Sequence, residues 1–230
     1  MIDVPASVVQ LENRILRSLP QAEWDRLRLG MVPVQLVTGQ VLIERDQTGD
    51  HVFFLERGFV CLLYHSGERS VQVALIGDEG LVGGASLLGG DGFSASAVVR
   101  GPGLALRMPL PLIKLRLDQC PSLRDAWLRS VHGLLGEVMQ TAIDNACSTL
   151  DQRCARWLLM ADSRLKGGLI PITHETLAGM LGVFRSGVTA ALSNLHGLGL
   201  VQPSRGRIAI LDREGLRRFA AGSLRDAVAG

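Results

Sequence analysis

The 230-residue chain is 47% hydrophobic and 20% charged, is poor in aromatic residues at 4%, and carries a net charge of +2. This is the composition of a soluble globular protein with room for one large or two small domains, and no apolar run reaches the roughly 18 residues that a membrane span needs. The start MIDVPASVVQLENR has neither the basic opening nor the apolar core of a secretion signal, so the expected location is the cytoplasm, with no membrane partner.

Charge is spread unevenly. From Cys147 onward there are 11 Lys and Arg against 6 Asp and Glu, a balance of +5, whereas the residues before it hold 13 against 16, a balance of −3. An acidic N-terminal part joined to a basic C-terminal part suggests that only the second meets a polyanion. The four cysteines, Cys61, Cys120, Cys147 and Cys154, form no C-x-x-C pair. That spacing excludes a zinc finger, an iron–sulfur cradle and a disulfide framework. Reduced thiols are expected, the competing reading being a redox role for Cys147 or Cys154.

Along the chain, Asn13–Leu29 reads as helical, with Leu16, Leu19, Trp24 and Leu27 on its buried side and a break at Pro20. From Val34 short β-rich runs follow: 34–37, 41–43, 52–55, 59–64, 71–76, 96–99 and 104–108. Glycines punctuate them, among them Gly39, Gly58, Gly77 and Gly101, which predicts a small antiparallel sandwich or barrel with glycine turns. After Pro121 the period becomes helical. Trp127, Val131, Leu134, Val138 and Ala142 form one apolar row, with Leu135, Met139 and Ala142 beside it. One face of this long helix can cover the β part and the other can pair with a second copy of the chain; the alternative is a buried helix in a monomer. The double row is wider than packing on one sheet requires, so a homodimer with Trp127, Val131, Leu134, Leu135, Val138, Met139 and Ala142 at its interface is expected.

Ser148 and Thr149 stop that helix, near an expected hinge at Asn145–Thr149, and Thr149 to Gln152 fits a capping box for a new amphipathic helix over Leu150–Leu165. Thr173–Leu195, THETLAGMLGVFRSGVTAALSNL, then reads as two short helices joined at Gly182. Thr173 stands at an N-cap, Leu177, Ala178 and Leu181 on a buried face, and Val188, Ala191, Leu192 and Leu195 on the buried row of the second helix. Arg185, Ser186, Thr189 and Ala190 fall on its other faces. Two short apolar runs around Ser204-Arg205-Gly206 complete a hairpin with Arg205 and Arg207 at its tip. A helix-turn-helix followed by a basic hairpin is a winged helix, a double-stranded DNA reader. Its candidate contacts are Thr173, His174, Arg185, Ser186, Thr189, Arg205 and Arg207.

From about Leu16 to Leu211 the chain resembles the cyclic-AMP receptor protein / fumarate-nitrate regulator (CRP/FNR) family of bacterial transcription factors. The resemblance rests on GQVLI (39–43), DHVFFLERG (50–58), GDEGLVG (77–83), RCARWL (153–158) and the helix-turn-helix above. It implies an α+β fold of three parts. Residues 1–120 would be a β-roll effector-sensing domain of the cyclic-nucleotide-binding, jelly-roll kind, 121–147 a dimerisation helix and hinge, and 148–230 a winged helix-turn-helix DNA-binding domain. It also implies that Arg185 reads a guanine edge and that Thr173 meets phosphate. Ser186 stands where the family has an acidic residue and Ala190 where it has a second arginine, which implies a different preferred operator. Phe184 occupies a site often small or polar.

The sensor departs further. Cyclic-AMP binders of this family carry a Gly-Glu-Leu segment and then an Arg-Ser-Ala segment. Here the corresponding stretches are Gly83-Gly84-Ala85-Ser86 and Ser94-Ala95-Ser96, so both charged anchors are absent. A buried phosphate without its arginine is costly, and no tight cyclic-nucleotide binding is expected. Gly83, Gly84, Ala85, Ser86, Ser94 and Ala95 remain the candidate effector pocket, for an unknown small molecule. No metal and no cofactor are expected; the competing reading is haem held by His51, His65 or His132. RNA polymerase is an expected partner, and no nucleophile–base pair or phosphate loop suggests an enzyme. The expected function is a homodimeric DNA-binding transcription regulator. The alternative is a signalling module, effector- or protein-binding, with weakened or lost DNA binding.

Overall fold

A computed structural model describes residues 11–66, 69–89 and 94–222. The chain divides into two compact units. The first comprises residues 1–62 and 74–137, and the second residues 63–73 and 138–230. The architecture is α+β.

The first unit opens with α1 (Arg14–Arg17) and α2 (Gln21–Leu27), split by Pro20. Asn13 fixes this segment. Its side-chain oxygen accepts from the Ile15 and Leu16 amides at 3.1 and 3.2 Å, and its Nδ2 donates to the Leu55 and Gly80 carbonyls at 3.1 and 2.8 Å. Leu16 and Leu27 are buried as expected, and Leu19 and Trp24 are partly buried against the same core. The strands are β1 (Val32–Leu36), β2 (Val41–Ile43), β3 (His51–Ser66), β4 (Arg69–Ile76), β5 (Leu81–Val82) and β6 (Ala95–Pro109). They make one sheet in the order β1-β6-β3-β4, with β2 also paired to β6 and β5 to β3. Pairings β1–β6, β2–β6 and β3–β5 are antiparallel.

Two expected glycine turns are not turns. The runs 52–55 and 59–64 are one strand, β3, and the runs 96–99 and 104–108 are one strand, β6. Gly58 lies inside β3 at φ +83, and a Cβ there would meet the Gly101 and Pro102 carbonyls; a Cβ on Gly103 would meet the Arg57 carbonyl. These glycines serve the close approach of two long strands at a local irregularity, a use of glycine that reads in sequence like a turn.

Pro109 and Pro111 then open α3 (Leu110–Gln119), which buries Ile113 and Leu117. After Cys120, α4 runs unbroken over Pro121–Cys147, 27 residues, and buries Leu123, Ala126 and Trp127 at its start. Trp127 is only 7% exposed and belongs to the first unit's own core with Phe54, Leu81 and Met108. It is therefore turned away from any partner copy, and its place among the expected interface residues is corrected. Val131 and Leu134 are half-buried. Leu135, Val138, Met139 and Ala142 are exposed, as are Leu128 and Ile143.

The second unit holds α5 (Leu150–Leu165), β7 (Leu169–Ile170), α6 (His174–Leu181), α7 (Arg185–Gly197), β8 (Val201–Ser204), β9 (Arg207–Ile210) and α8 (Arg213–Ala220). Thr149 and Gln152 form the expected reciprocal cap of α5, the Thr149 amide donating to Gln152 Oε1 at 2.9 Å and the Gln152 amide to Thr149 Oγ1 at 3.4 Å. The sheet is β7-β9-β8, so the wing hairpin gains a third strand. An ion pair of Arg213 with the buried Asp162 ties the start of α8 to α5. The distal part of the β3–β4 hairpin also belongs to this unit: Trp157 Nε1 donates to Gln72 Oε1 at 2.9 Å, both side chains being buried.

Gly58→Ala should destabilise the protein by about 2–4 kcal/mol, because it combines a left-handed backbone with a clash against carbonyls. Thermal or urea unfolding measures this. A change of less than about 0.5 kcal/mol would contradict the close-approach assignment.

Candidate nucleic-acid interface and sensor cavity

The geometry of α7 follows from its buried stripe. Val188, Ala191, Leu192 and Leu195 are all at 0–1% exposure. Residues 185, 186, 189 and 190 are exposed. Gly182, at φ +67, makes the turn that lets α6 end and α7 begin three residues later, at Arg185. Arg153 of α5 reinforces that turn, its Nη2 donating to the Leu181 carbonyl at 2.5 Å; a cation at a helix C-terminus is also favoured by the helix dipole.

Thr173 caps α6: its Oγ1 accepts from the Thr176 amide at 3.0 Å. His174 and Thr189 are engaged with each other, Nδ1 to Oγ1 at 3.0 Å. The Thr189 hydroxyl also lies 3.0 Å from the Arg185 carbonyl, to which it can donate. The pair thus braces the start of α6 against the first turn of α7 and steadies the backbone that carries Arg185. Phe184, the N-cap of α7, makes no side-chain cap and is 79% exposed. The first turn of α7 therefore has no side-chain cap from Phe184, whose large apolar ring is exposed beside it. Arg205 and Arg207 are exposed at the wing, where Gly206 at φ +71 closes a two-residue turn between Ser204 and Arg207.

In the first unit a cavity of about 450 Å³ is lined by residues of β2–β6, the 3-10 turn Gly84–Leu87 and α4. Gly83, Gly84, Ala85, Ser86 and Ala95 are among its walls. Ser94 is not; it is exposed outside the cavity, and its placement in the pocket is corrected. Trp127, Val131 and Leu134 of α4 are further lining residues, a role that sequence reasoning missed because their spacing alone does not distinguish a partner helix from a cavity wall.

Of the cysteines, Cys61, Cys120 and Cys154 are buried and Cys147 is exposed. Burial in α5 pushes the Cys154 thiol up to about 12, with Asp151 adding to the shift. Burial likewise raises Cys120. A thiol held protonated is neither nucleophile nor redox sensor at neutral pH, so of the two hinge cysteines only Cys147 is chemically available. Among the described residues no group of three or more His, Cys, Asp or Glu is placed to hold a metal ion, and no helix is long and apolar enough to cross a membrane.

An antiparallel sensor sheet, a long helix and a winged helix-turn-helix define a class of two-domain DNA-binding regulators. Residues 33–114 match the family model of the cyclic nucleotide-binding domain, and residues 152–219 match that of the Crp-like helix-turn-helix domain. Solved structures share the fold. A transcriptional regulator of the CRP/FNR family from Thermus thermophilus superposes with a TM-score of 0.69 at 23% identity, over 83% of this chain and 98% of that one. FixK2 from Bradyrhizobium japonicum gives 0.68 at 18% identity, over 82% and 96%. The c-di-GMP responsive global regulator CLP from Xanthomonas campestris gives 0.67 at 15% identity, over 84% and 100%. The chain belongs to the CRP/FNR family of transcription regulators, with a helix-turn-helix DNA-binding domain.

At pH 8, iodoacetamide should modify Cys147 in the native protein and reach Cys61, Cys120 and Cys154 only after unfolding. Because the folded value of Cys154 lies above the unfolded one, its protonated form favours the native state, and that contribution fades as pH rises from about 8.5 toward 12. Peptide mass mapping after a short pulse reads the outcome. Rapid labelling of Cys154 in the folded protein would refute its protected, protonated state.

Proposed function

We propose that the protein acts as a homodimer that reads a near-palindromic DNA site, with one Arg185 guanidinium in each half-site paired to O6 and N7 of a guanine. The observation that carries this is the orientation of α7: its apolar row is at 0–1% exposure while Arg185 is held outward at the first turn. The N-terminal residues of such a helix are the ones that reach base edges in the major groove. Thr173 at the α6 N-cap and Arg205 and Arg207 at the wing supply backbone contacts, which position the protein without specifying sequence. Ser186 and Ala190, exposed beside Arg185, allow contacts to bases but bring no charge, so the operator differs from one read by an acid and a second arginine.

The proposed dimer uses the outward face of α4. Leu128, Leu135 and Ala142 recur at seven-residue steps with Met139 between them, the spacing of a coiled-coil seam. Leu128, Leu135, Met139 and Ile143 are 47–59% exposed in the single chain, more apolar surface than a helix facing water normally shows. In this reading residues 1–120 sense, 121–147 dimerise and 148–230 bind DNA. An effector held in the sensor biases the spacing of the two reading helices, and RNA polymerase is engaged from the bound dimer in the cytoplasm. Cyclic nucleotides are not tight ligands, because Gly83–Ser86 and Ala95 bring neither the carboxylate nor the arginine that such a ligand needs.

Three measurements test this. Binding to DNA fragments from beside its own coding sequence should weaken steeply with salt, as counterion release requires. Arg185→Ala should cost about 1–3 kcal/mol and flatten the preference for sequence; equal binding by wild type and Arg185→Ala, with no salt dependence, would favour a signalling module without DNA binding. Sedimentation should give a dimer that Leu135→Glu with Met139→Glu converts to a monomer, and a wild-type monomer at micromolar concentration would rule out the α4 seam. Millimolar cyclic AMP or cyclic GMP should leave the melting temperature unchanged, whereas a rise of several degrees would restore the nucleotide reading.

A further inference from the structure

The cavity of the first unit has a definite chemical character. Its volume of about 450 Å³ lies in the range of small-molecule sites. Ile43, Leu62, Leu75, Val82, Ala97 and Leu134 are among its walls. Four charged residues line it: Arg14, Glu79, Arg129 and Glu137. Three are already engaged by the protein. Arg14 pairs with Asp78 at 3.4 Å, Glu79 Oε1 accepts from the Gly77 amide at 3.0 Å, and Glu137 Oε1 accepts from the Leu75 amide at 2.8 Å. Arg129 is exposed to solvent. The wall of Gly83, Gly84, Ala85, Ser86 and Ala95 carries no charge at all. An anion placed against that wall would lose hydration and find no cation on the wall itself.

Among the described residues, one buried polar group of the lining lacks a partner. Trp127 is 7% exposed, and its Nε1 is buried with no hydrogen-bond acceptor. It lies beneath Gly84, where a Cβ would come within 3.1 Å of it. A buried donor left unmade costs free energy, and a ligand that supplies an acceptor recovers it.

We propose that this cavity binds an uncharged, mainly apolar small molecule carrying one hydrogen-bond acceptor, a carbonyl or hydroxyl oxygen, for the Trp127 indole N–H. The proposal rests on reading the first unit as the sensor. Its class of ligand follows from the walls: apolar surface for affinity, one buried donor for orientation, and no charge left unengaged by the protein except Arg129, which stands in solvent. Because Trp127 sits on α4, occupancy acts on the same helix whose outward face is assigned to the dimer.

The test uses the full-length protein without DNA, so its failure and the failure of DNA reading are separately visible. N-phenyl-1-naphthylamine, a neutral apolar fluorophore, should show a saturable fluorescence gain. It should be displaced by 2-nonanone but not by nonanoate or cyclic AMP at the same concentration. Ala97→Phe, which fills the cavity, should lose the gain. Trp127→Phe, which keeps an apolar ring but no donor, should retain the fluorophore and bind 2-nonanone about tenfold more weakly; this variant decides the matter if Ala97→Phe does not fold. The proposal is overturned by any of four results: no saturable gain, full gain in folded Ala97→Phe, displacement by nonanoate or cyclic AMP as readily as by the ketone, or unchanged ketone competition in Trp127→Phe.

Discussion

Val188, Ala191, Leu192 and Leu195 fix the rotation of α7 by being buried along its whole length. A helix turned about its axis by one residue, roughly 100°, would bring Thr189 inward and push an apolar side chain into water. Burying four apolar side chains is worth several kcal/mol, at about 1.5–3 kcal/mol for a large one. No surface interaction in the unit competes with that, since exposed ion pairs contribute about 0–1 kcal/mol. The direction of Arg185 is therefore set by hydrophobic burial, and the polar contacts refine it. Arg153 on the Leu181 carbonyl and His174 on Thr189 hold the turn and the first residues of the helix in one arrangement.

The same logic of one helix with two faces governs α4. At its start Leu123, Ala126 and Trp127 are spent on the core of the first unit, while Leu128, Leu135 and Met139 are left in water. Between these faces lie Val131 and Leu134, half-buried at the wall of the cavity. In the proposed dimer, a change in what fills the cavity would act first on side chains that share a helix with the exposed seam, a physical route from a small molecule to the pairing of two chains. Glu137 fits this picture, because it spends its carboxylate on the Leu75 amide of β4 rather than on a ligand.

Much of the DNA-binding unit was legible from residue order. Caps and turns are local: Thr149 with Gln152, Thr173 with the Thr176 amide, and glycine at 182 and 206 each act within a few residues, so the sequence displays them directly. What could not be read depends on contacts far along the chain. Gly58 and Gly101 look like turn residues, yet their need arises where β3 meets β6 more than 40 positions away. The third strand of the wing sheet, Leu169–Ile170 on β9, is set by the distant pairs Leu169 with Ala209 and Ile170 with Ile208. Trp127 and Leu128 are adjacent and both apolar; only the packed core decides that the first turns in and the second out. Ser94 was placed in the pocket by its correspondence to the arginine of the family's Arg-Ser-Ala segment, whereas the strand that enters the cavity begins with Ala95. The loss of charged anchors at 83–86 and 94–96 was visible from sequence, but the engagement of Arg14, Glu79 and Glu137 by the protein and the unpartnered indole N–H of Trp127 were not.

The central claim is that Arg185 reads guanine in each half of a two-fold site. Methylation interference measures it most directly, because a methyl group on guanine N7 removes one of the two acceptors that a guanidinium fork engages. On a fragment selected by the wild-type protein, the account predicts one strongly interfering guanine per half-site, the two lying about one helical turn apart. It further predicts that Arg185→Ala, assayed at low salt where phosphate contacts still hold it to the DNA, loses that interference. Strong binding with no interfering guanine, or an interference pattern identical in Arg185→Ala, would contradict it.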